Sequence, residues 1–196
     1  VFNRIQFISA VKNPNVDSII TSGKDLKLGT IFGIKKFNIN RDLYIKGSSR
    51  LTHVSFSIKS QSKLMLCDEV FIDNSRKQKS IFPAITAFKV YDNSKVIFED
   101  NSFVKTEYGS GKGGRAVNLI GDNAEALFKS HSEQWSENGV VYSENKTSKT
   151  VILSGKLSSR VRYNTIESNG KVIINGGKVK NVDHEPQHDQ HQQKNE

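Results

Sequence analysis

The chain has 196 residues, 35% of them hydrophobic, and Lys+Arg 29 against Asp+Glu 20 give a formal net charge of +9. A mean hydropathy of −0.51 and no apolar run near the roughly 18 residues a membrane helix needs leave no helical span to propose. One cysteine, Cys67, rules out an internal disulfide framework and a cysteine-rich zinc site. Ser (23) and Asn (17) are abundant, many with Gly beside them, which suits turn-rich β structure and not a helical bundle.

The length suffices for one domain with its own core. The chain opens on Val1 without an initiator Met or a basic-then-apolar leader, which fits a mature or excised piece. Val182 to Glu196 carry Asp183, Glu185, Asp189 and Glu196 against Lys194, a net −3, so the rest carries +12 and favours acidic partners.

In chain order, residues 1–13 place Phe2, Ile5, Ile8 and Val11 three apart, predicting a short amphipathic helix that ends at Asn13-Pro14. Residues 14–49 give short strand-like pieces at Ser18–Thr21, Phe37–Ile39 and Leu43–Ile45, closed by Lys46-Gly47-Ser48-Ser49. From 50 to 181 such pieces follow one another, bounded by Asn, Ser, Gly or Asp. Residues 182–196 have no apolar residue after Val182 and form a solvated His- and Gln-rich tail.

An internal repeat decides the architecture. Leu64-Met65-Leu66, Val96-Ile97-Phe98, Ala126-Leu127-Phe128, Thr150-Val151-Ile152 and Val172-Ile173-Ile174 each follow a charged residue (Lys63, Lys95, Glu125, Lys149, Lys171) at steps of 32, 30, 24 and 22. A second apolar stub follows each triplet: Val70-Phe71-Ile72, Phe103-Val104, Val140-Val141-Tyr142, Leu157 and Val179. A rung of roughly 20 to 30 residues cannot bury its apolar side chains alone, whereas rungs stacked about 4.8 Å apart align like residues into internal ladders. The reading is an all-β fold, a parallel β-helix with Leu64, Val96, Ala126, Val151 and Val172 in one internal column and the N-terminal helix capping the first rung. A β-sandwich is the alternative.

Phe71-Ile72-Asp73-Asn74 and Phe98-Glu99-Asp100-Asn101 are F-x-x-N tetrads. Gly113-Gly114-Arg115-Ala116-Val117 and Asn138-Gly139-Val140-Val141-Tyr142 look like loosened G-G-A-I. This alternation resembles the repeats of the polymorphic outer-membrane protein family, adhesins whose passenger is a right-handed β-helix. The resemblance implies a right-handed coil, a secreted or outer-membrane-associated location and an adhesive surface, although no barrel is present within these 196 residues and Phe128-Lys129-Ser130-His131 departs from the tetrad.

Catalytic and metal chemistry find little footing. His184, His188 and His191 lie in the tail, where ordering costs oppose a specific metal site, so no metal or other cofactor is expected. There is no G-x-S-x-G, and Cys67 in L-M-L-C-D reads as a small hydrophobe packed inside. Gly109 to Gly114 has the wrong order for a phosphate loop. No nucleic-acid module is visible. Polysaccharide cleavage is the enzymatic alternative, with Glu99, Asp100, or Glu133 beside Arg160 and Arg162, but these form no motif. The expected function is a non-catalytic extracellular module binding a host-cell receptor or an acidic glycan, with oligomers allowed. Lys63, Lys95, Lys149 and Lys171 should project from one corner, and Arg115, Arg160 and Arg162 would add contacts to carboxylate or sulfate.

Overall fold

The computed structural model describes residues 1–30, 33–75, 85–106, 114–129, 131–160 and 164–182. The predicted end helix is present as α1 (Arg4–Lys12). Its N-cap, Asn3, accepts from the Gln6 N–H at 2.9 Å, and the Gln6 side chain accepts from the Phe2 N–H at 2.9 Å, a reciprocal cap that satisfies two orphan donors. The buried face differs from the one expected. Phe7 and Val11, one turn apart, are buried, while Phe2 and Ile5 are exposed. Spacing by three picked a row that drifts around the helix, whereas the core-facing pair is spaced by four. The Arg41 side chain then ties the helix to the first rungs, its Nε donating to Val16 O at 2.8 Å and its Nη2 to Val11 O at 3.1 Å.

Beyond the helix the chain winds through three parallel sheets. The first holds β1 (Ser18–Thr21), β4 (Leu43–Gly47), β7 (Lys63–Leu66), β10 (Lys95–Phe98), β13 (Glu125–Phe128), β16 (Lys149–Ile152) and β19 (Lys171–Ile174). The second holds β2 (Leu26–Lys27), β5 (Arg50–Thr52), β8 (Phe71–Asn74), β11 (Phe103–Thr106), β14 (Glu133–Ser136), β17 (Lys156–Arg160) and β20 (Lys178–Val182). The third holds β3 (Lys35–Ile39), β6 (Val54–Ile58), β9 (Phe88–Val90), β12 (Val117–Leu119), β15 (Val141–Ser143) and β18 (Ile166–Ser168). Each strand pairs with the strand three further along the chain, one rung on. The protein is a right-handed parallel β-helix, with the handedness that crossovers between parallel strands of one sheet take. There is no two-sheet Greek key, so the sandwich alternative falls.

The register confirms the repeat and corrects it in detail. Lys63, Lys95, Glu125, Lys149 and Lys171 are successive ladder partners, so all five triplets stack in the first sheet. The internal column reads Leu43, Leu64, Val96, Ala126, Thr150 and Val172: Thr150, not Val151, stands inside. Val151 is more apolar, but strand period two gives the inward place to the residue directly after the charged marker. The second stubs stack in the second sheet at β8, β11, β17 and β20. Val140-Val141-Tyr142 instead enters the third sheet, and the second-sheet strand of that rung is Glu133-Gln134-Trp135-Ser136. The two F-x-x-N tetrads are not equivalent: Phe71 stacks on Phe103, while Phe98 closes a first-sheet strand.

Two kinds of ladder fill the coil. Phe37, Phe56 and Phe88 stack at 5.6 and 5.7 Å between centroids, and Phe98 stacks on Phe128 at 4.9 Å. At the corner between the second and third sheets the ladder is polar: Asn74, Thr106, Ser136, Ser159 and Asn181 are successive partners. Thr106 and Ser136 both donate to Gly114 O, at 2.6 and 2.8 Å, and Asn74 holds Val54 by both its N–H and its carbonyl. These side chains satisfy backbone groups that a sharp buried corner would otherwise orphan.

The Asn- and Ser-rich composition now has a cause. Asp68, Asn93, Asp100, Asn101 and Asn123 take positive φ at corners, a conformation these side chains tolerate better than most. Asn123 Nδ2 donates to Asn93 Oδ1 at 3.0 Å across one rung. Corners into and out of the first sheet hold two to five residues. The connection between the second and third sheets varies from one residue, His53, to the thirteen of 75–87, so insertions enter at a single corner.

Candidate binding face

Outward side chains of the first sheet form three columns. The charged one runs Lys63, Lys95, Glu125, Lys149, Lys171. Beside it lies an apolar stripe, Tyr44, Met65, Ile97, Leu127, Val151 and Ile173, of which Ile97 and Val151 are buried and the other four accessible. At the strand ends a third column carries Lys46, still within β4, then Cys67, which is buried, and Glu99, Lys129 and Leu153. The four lysines therefore share one column, as expected. Their mutual repulsion, roughly 1 kcal/mol per close pair in water, is offset from within the chain. Glu125 lies 2.8 Å from Lys95 and 3.6 Å from Lys149, Asp42 lies 3.8 Å from Lys63, and Lys129 meets Glu99 at 2.7 Å.

The arginines sit elsewhere. Arg115, just before β12, is buried; its guanidinium lies 4.5 Å over the Tyr142 ring and its Nη2 is 2.6 Å from Glu167. It straps three rungs together. The strap also needs Gly139, whose φ is +98 and whose added Cβ would meet Asn164 O at 2.4 Å and Arg115 Nη1 at 3.0 Å. Arg160 ends β17 and pairs with Glu137 at 3.2 Å. Arg162 lies outside the described residues, as do His184, His188 and His191.

The second sheet offers a different surface. Phe103 and Trp135 face outward by register yet are buried, so their part of this sheet is closed to a ligand. Its acids are engaged: Glu133 meets Lys156 at 2.6 Å, and Asp73, itself buried, accepts from Arg50 Nε at 2.8 Å and from the Ser75 N–H at 2.8 Å. Burial alone would raise the Asp73 pKa, but the Ser75 and Arg50 hydrogen bonds outweigh it and hold the carboxyl below its ordinary 3.8. The stability this supplies is complete above the unfolded pKa and is lost as pH falls through the lowered folded value. Asp73→Asn should therefore flatten the acid limb: between about pH 5 and pH 2 the urea midpoint of the unsubstituted protein should fall more steeply than the variant's. Parallel limbs would show that Asp73 is not a main contributor.

Cys67 follows β7 and is buried, but by register it takes an outward place beside the strand end and does not join the internal core that was expected to hold it. Burial pushes its thiol up to about 11, helped by the carboxylates of Glu99, Asp100 and Asp68. In the folded protein near pH 8 it should react with iodoacetamide roughly a hundredfold more slowly than in urea. Equal rates would mean that the site opens readily.

Of the acids considered for catalysis, Glu99 and Glu133 sit in ion pairs, and Asp100 serves a positive-φ turn. Glu133 and Arg160 belong to different pairs. Among the described residues no group of His, Cys, Asp and Glu could hold a metal ion. No helix of the described residues is long and apolar enough to cross a membrane, which leaves β-barrels unaddressed. Fold and faces together define a parallel β-helix repeat protein. Comparison with protein-family models, curated proteins and solved structures finds no match.

Proposed function

We propose that this chain is a non-catalytic binding segment of an extracellular or cell-surface protein, and that its first sheet takes an extended acidic glycan. The single-column register of Lys63, Lys95, Lys149 and Lys171 beside an apolar stripe on which Tyr44, Met65, Leu127 and Ile173 remain accessible supports this reading. A uronic-acid or sulfated chain has carboxylates or sulfates for the lysines and C–H faces for the stripe. Kinship with polymorphic outer-membrane adhesins belongs to the same proposal and rests on the loosened G-G-A-I pieces, which lead into β12 and β15, where Val117 and Val141 are ladder partners. Cleavage is the weaker reading because the face acids are engaged in pairs.

The test is heparin binding at low and moderate salt, with Lys149→Glu plus Lys171→Glu as the variant. Affinity should fall about tenfold or more with either change. Binding indifferent to both, or no binding, would leave the lysines as surface charge. The same incubation, read for unsaturated or reducing ends, separates binding from cleavage.

A further inference from the structure

The corners that lead from the third sheet into the first carry a polar ladder of their own, on the outside of the coil. Asp92 Oδ1 accepts from the Asp122 N–H at 2.9 Å, and Asn123 Nδ2 donates to Asn93 Oδ1 at 3.0 Å. Asp122 Oδ1 in turn accepts from Asn145 Nδ2 at 2.7 Å and from Thr147 Oγ1 at 3.2 Å. Three successive corners are laced together in this way. One rung earlier the lacing stops. At the 59–62 corner Ser60 and Gln61 hold the places that Asp92 and Asn93 hold at 91–94, since Ser62 donates to Lys59 O as Ser94 does to Tyr91 O, and Lys63 and Lys95 then pair. Gln61 and Asn93 share the positive φ of this turn. No side-chain hydrogen bond from Ser60 or Gln61 reaches the Asp92 corner among the described residues.

A cavity of about 560 Å³ opens where the lacing stops, lined by Lys59, Ser60, Gln61, Tyr91, Asp92 and Asn93. Its size falls within the roughly 300–1,000 Å³ of small-molecule sites. Tyr91 is half-buried and follows Lys59 in the column just past the third-sheet strands, with the Lys59 ammonium 5.1 Å from its ring centroid. The cavity holds one cation and one carboxylate, Lys59 and Asp92, so it carries no net charge, unlike the lysine column. An aromatic ring, two amides, a hydroxyl and one balanced pair of charges suit a polyhydroxylated ring. The C–H face of such a ring would lie on Tyr91, the amides would bridge neighbouring hydroxyls, Asp92 would accept and Lys59 would donate. A sulfate or phosphate suits it less, because the Asp92 carboxylate would oppose what a single lysine attracts.

We propose that this corner cavity is a binding site for one uncharged pyranose unit, stacked on Tyr91 and held by Gln61, Asp92 and Asn93. It lies off the lysine column and does not rest on the acidic-glycan reading. The two corners that build it are adjacent in the middle of the coil, so the side chains that line it are fixed by the β7–β10 ladder.

Methyl β-glucoside is the probe, because its ring hydroxyls are all equatorial and leave C–H faces for Tyr91. Methyl β-glucuronide, the same ring with a carboxylate, is its charged counterpart. Saturation-transfer NMR on the full chain should show transfer to the glucoside ring protons, with a Kd of about a millimolar, the scale open to a small ligand in an accessible site. Tyr91→Ala should weaken it at least about tenfold with an unchanged far-ultraviolet spectrum. Asp92→Asn keeps the oxygen that holds the Asp122 N–H and leaves Lys59 unbalanced. The ratio of glucuronide to glucoside affinity should then rise about tenfold, a readout that stands even if Tyr91→Ala disturbs its rung. No transfer, transfer that Tyr91→Ala leaves untouched, or an unmoved ratio in Asp92→Asn overturns the proposal. Lys149→Glu plus Lys171→Glu should leave glucoside transfer unchanged, so failure here and failure of the lysine column are read separately.

Discussion

Phe98→Ala should lower the unfolding free energy by about 3–5 kcal/mol, the range of fully buried aromatic truncations. Phe98 lies midway along the coil with no solvent exposure. Its ring stacks on Phe128 at 4.9 Å and meets Phe88 edge-on at 5.3 Å, joining the first-sheet column to the third-sheet column. The loss therefore combines transfer, cavity and two ring contacts, and Phe88 cannot close the gap without leaving its stack on Phe56. In a solenoid, stability is a sum of rung and interface terms, so a defect in a central rung weakens the coupling of both halves. Urea unfolding followed by far-ultraviolet circular dichroism should show a lower midpoint, and the transition should broaden as the halves separate. A loss below about 1 kcal/mol would mean that the central rungs are not cooperatively packed.

The coil was legible because its first-sheet strands share a marker: a charged residue, then an apolar triplet. Period two and a buried inner face impose that pattern on every rung, so spacing alone brought Lys63, Lys95, Glu125, Lys149 and Lys171 into one ladder. The third sheet was harder to see. Its strands Phe88–Val90, Val117–Leu119 and Val141–Ser143 are three residues long, too short to show alternation, and the corner before them has no fixed length. The polar ladder does have a signal, an Asn, Thr or Ser two residues after the inward apolar position: Ile72 then Asn74, Val104 then Thr106, Leu157 then Ser159. It went unread because the F-x-x-N match coupled Phe71 to Phe98 and not to Phe103. Of the proposed contact residues, sequence spacing could group the lysines. It could not show that Glu125 neutralises its neighbours or that Arg115 is a buried strap, since both depend on which side chains adjoin across rungs.

Gln134→Leu should raise stability by about 2 kcal/mol and Tm by about 4–8 °C. The inner column of the second sheet runs Leu51, Ile72, Val104, Gln134, Leu157 and Val179, apolar at every place but one. Gln134 is fully buried, and neither its Oε1 nor its Nε2 has a hydrogen-bond partner. An amide stripped of water without replacement bonds costs about 1–3 kcal/mol, and an apolar side chain of similar shape removes that cost. Leucine also suits the neighbours, because it restores contact between Val104 below and Leu157 above without the overpacking that a larger ring would bring. The same reasoning gives the control. Ser136, two residues on and equally buried, belongs to the polar ladder and donates to Gly114 O at 2.8 Å. Ser136→Ala should destabilise by about 1 kcal/mol where Gln134→Leu stabilises, although both remove a buried polar group. Thermal unfolding of the two variants side by side reads the difference as opposite signs. Were Gln134→Leu to destabilise, the amide must be satisfied in solution, and the second-sheet column would carry a polar link in its fifth rung.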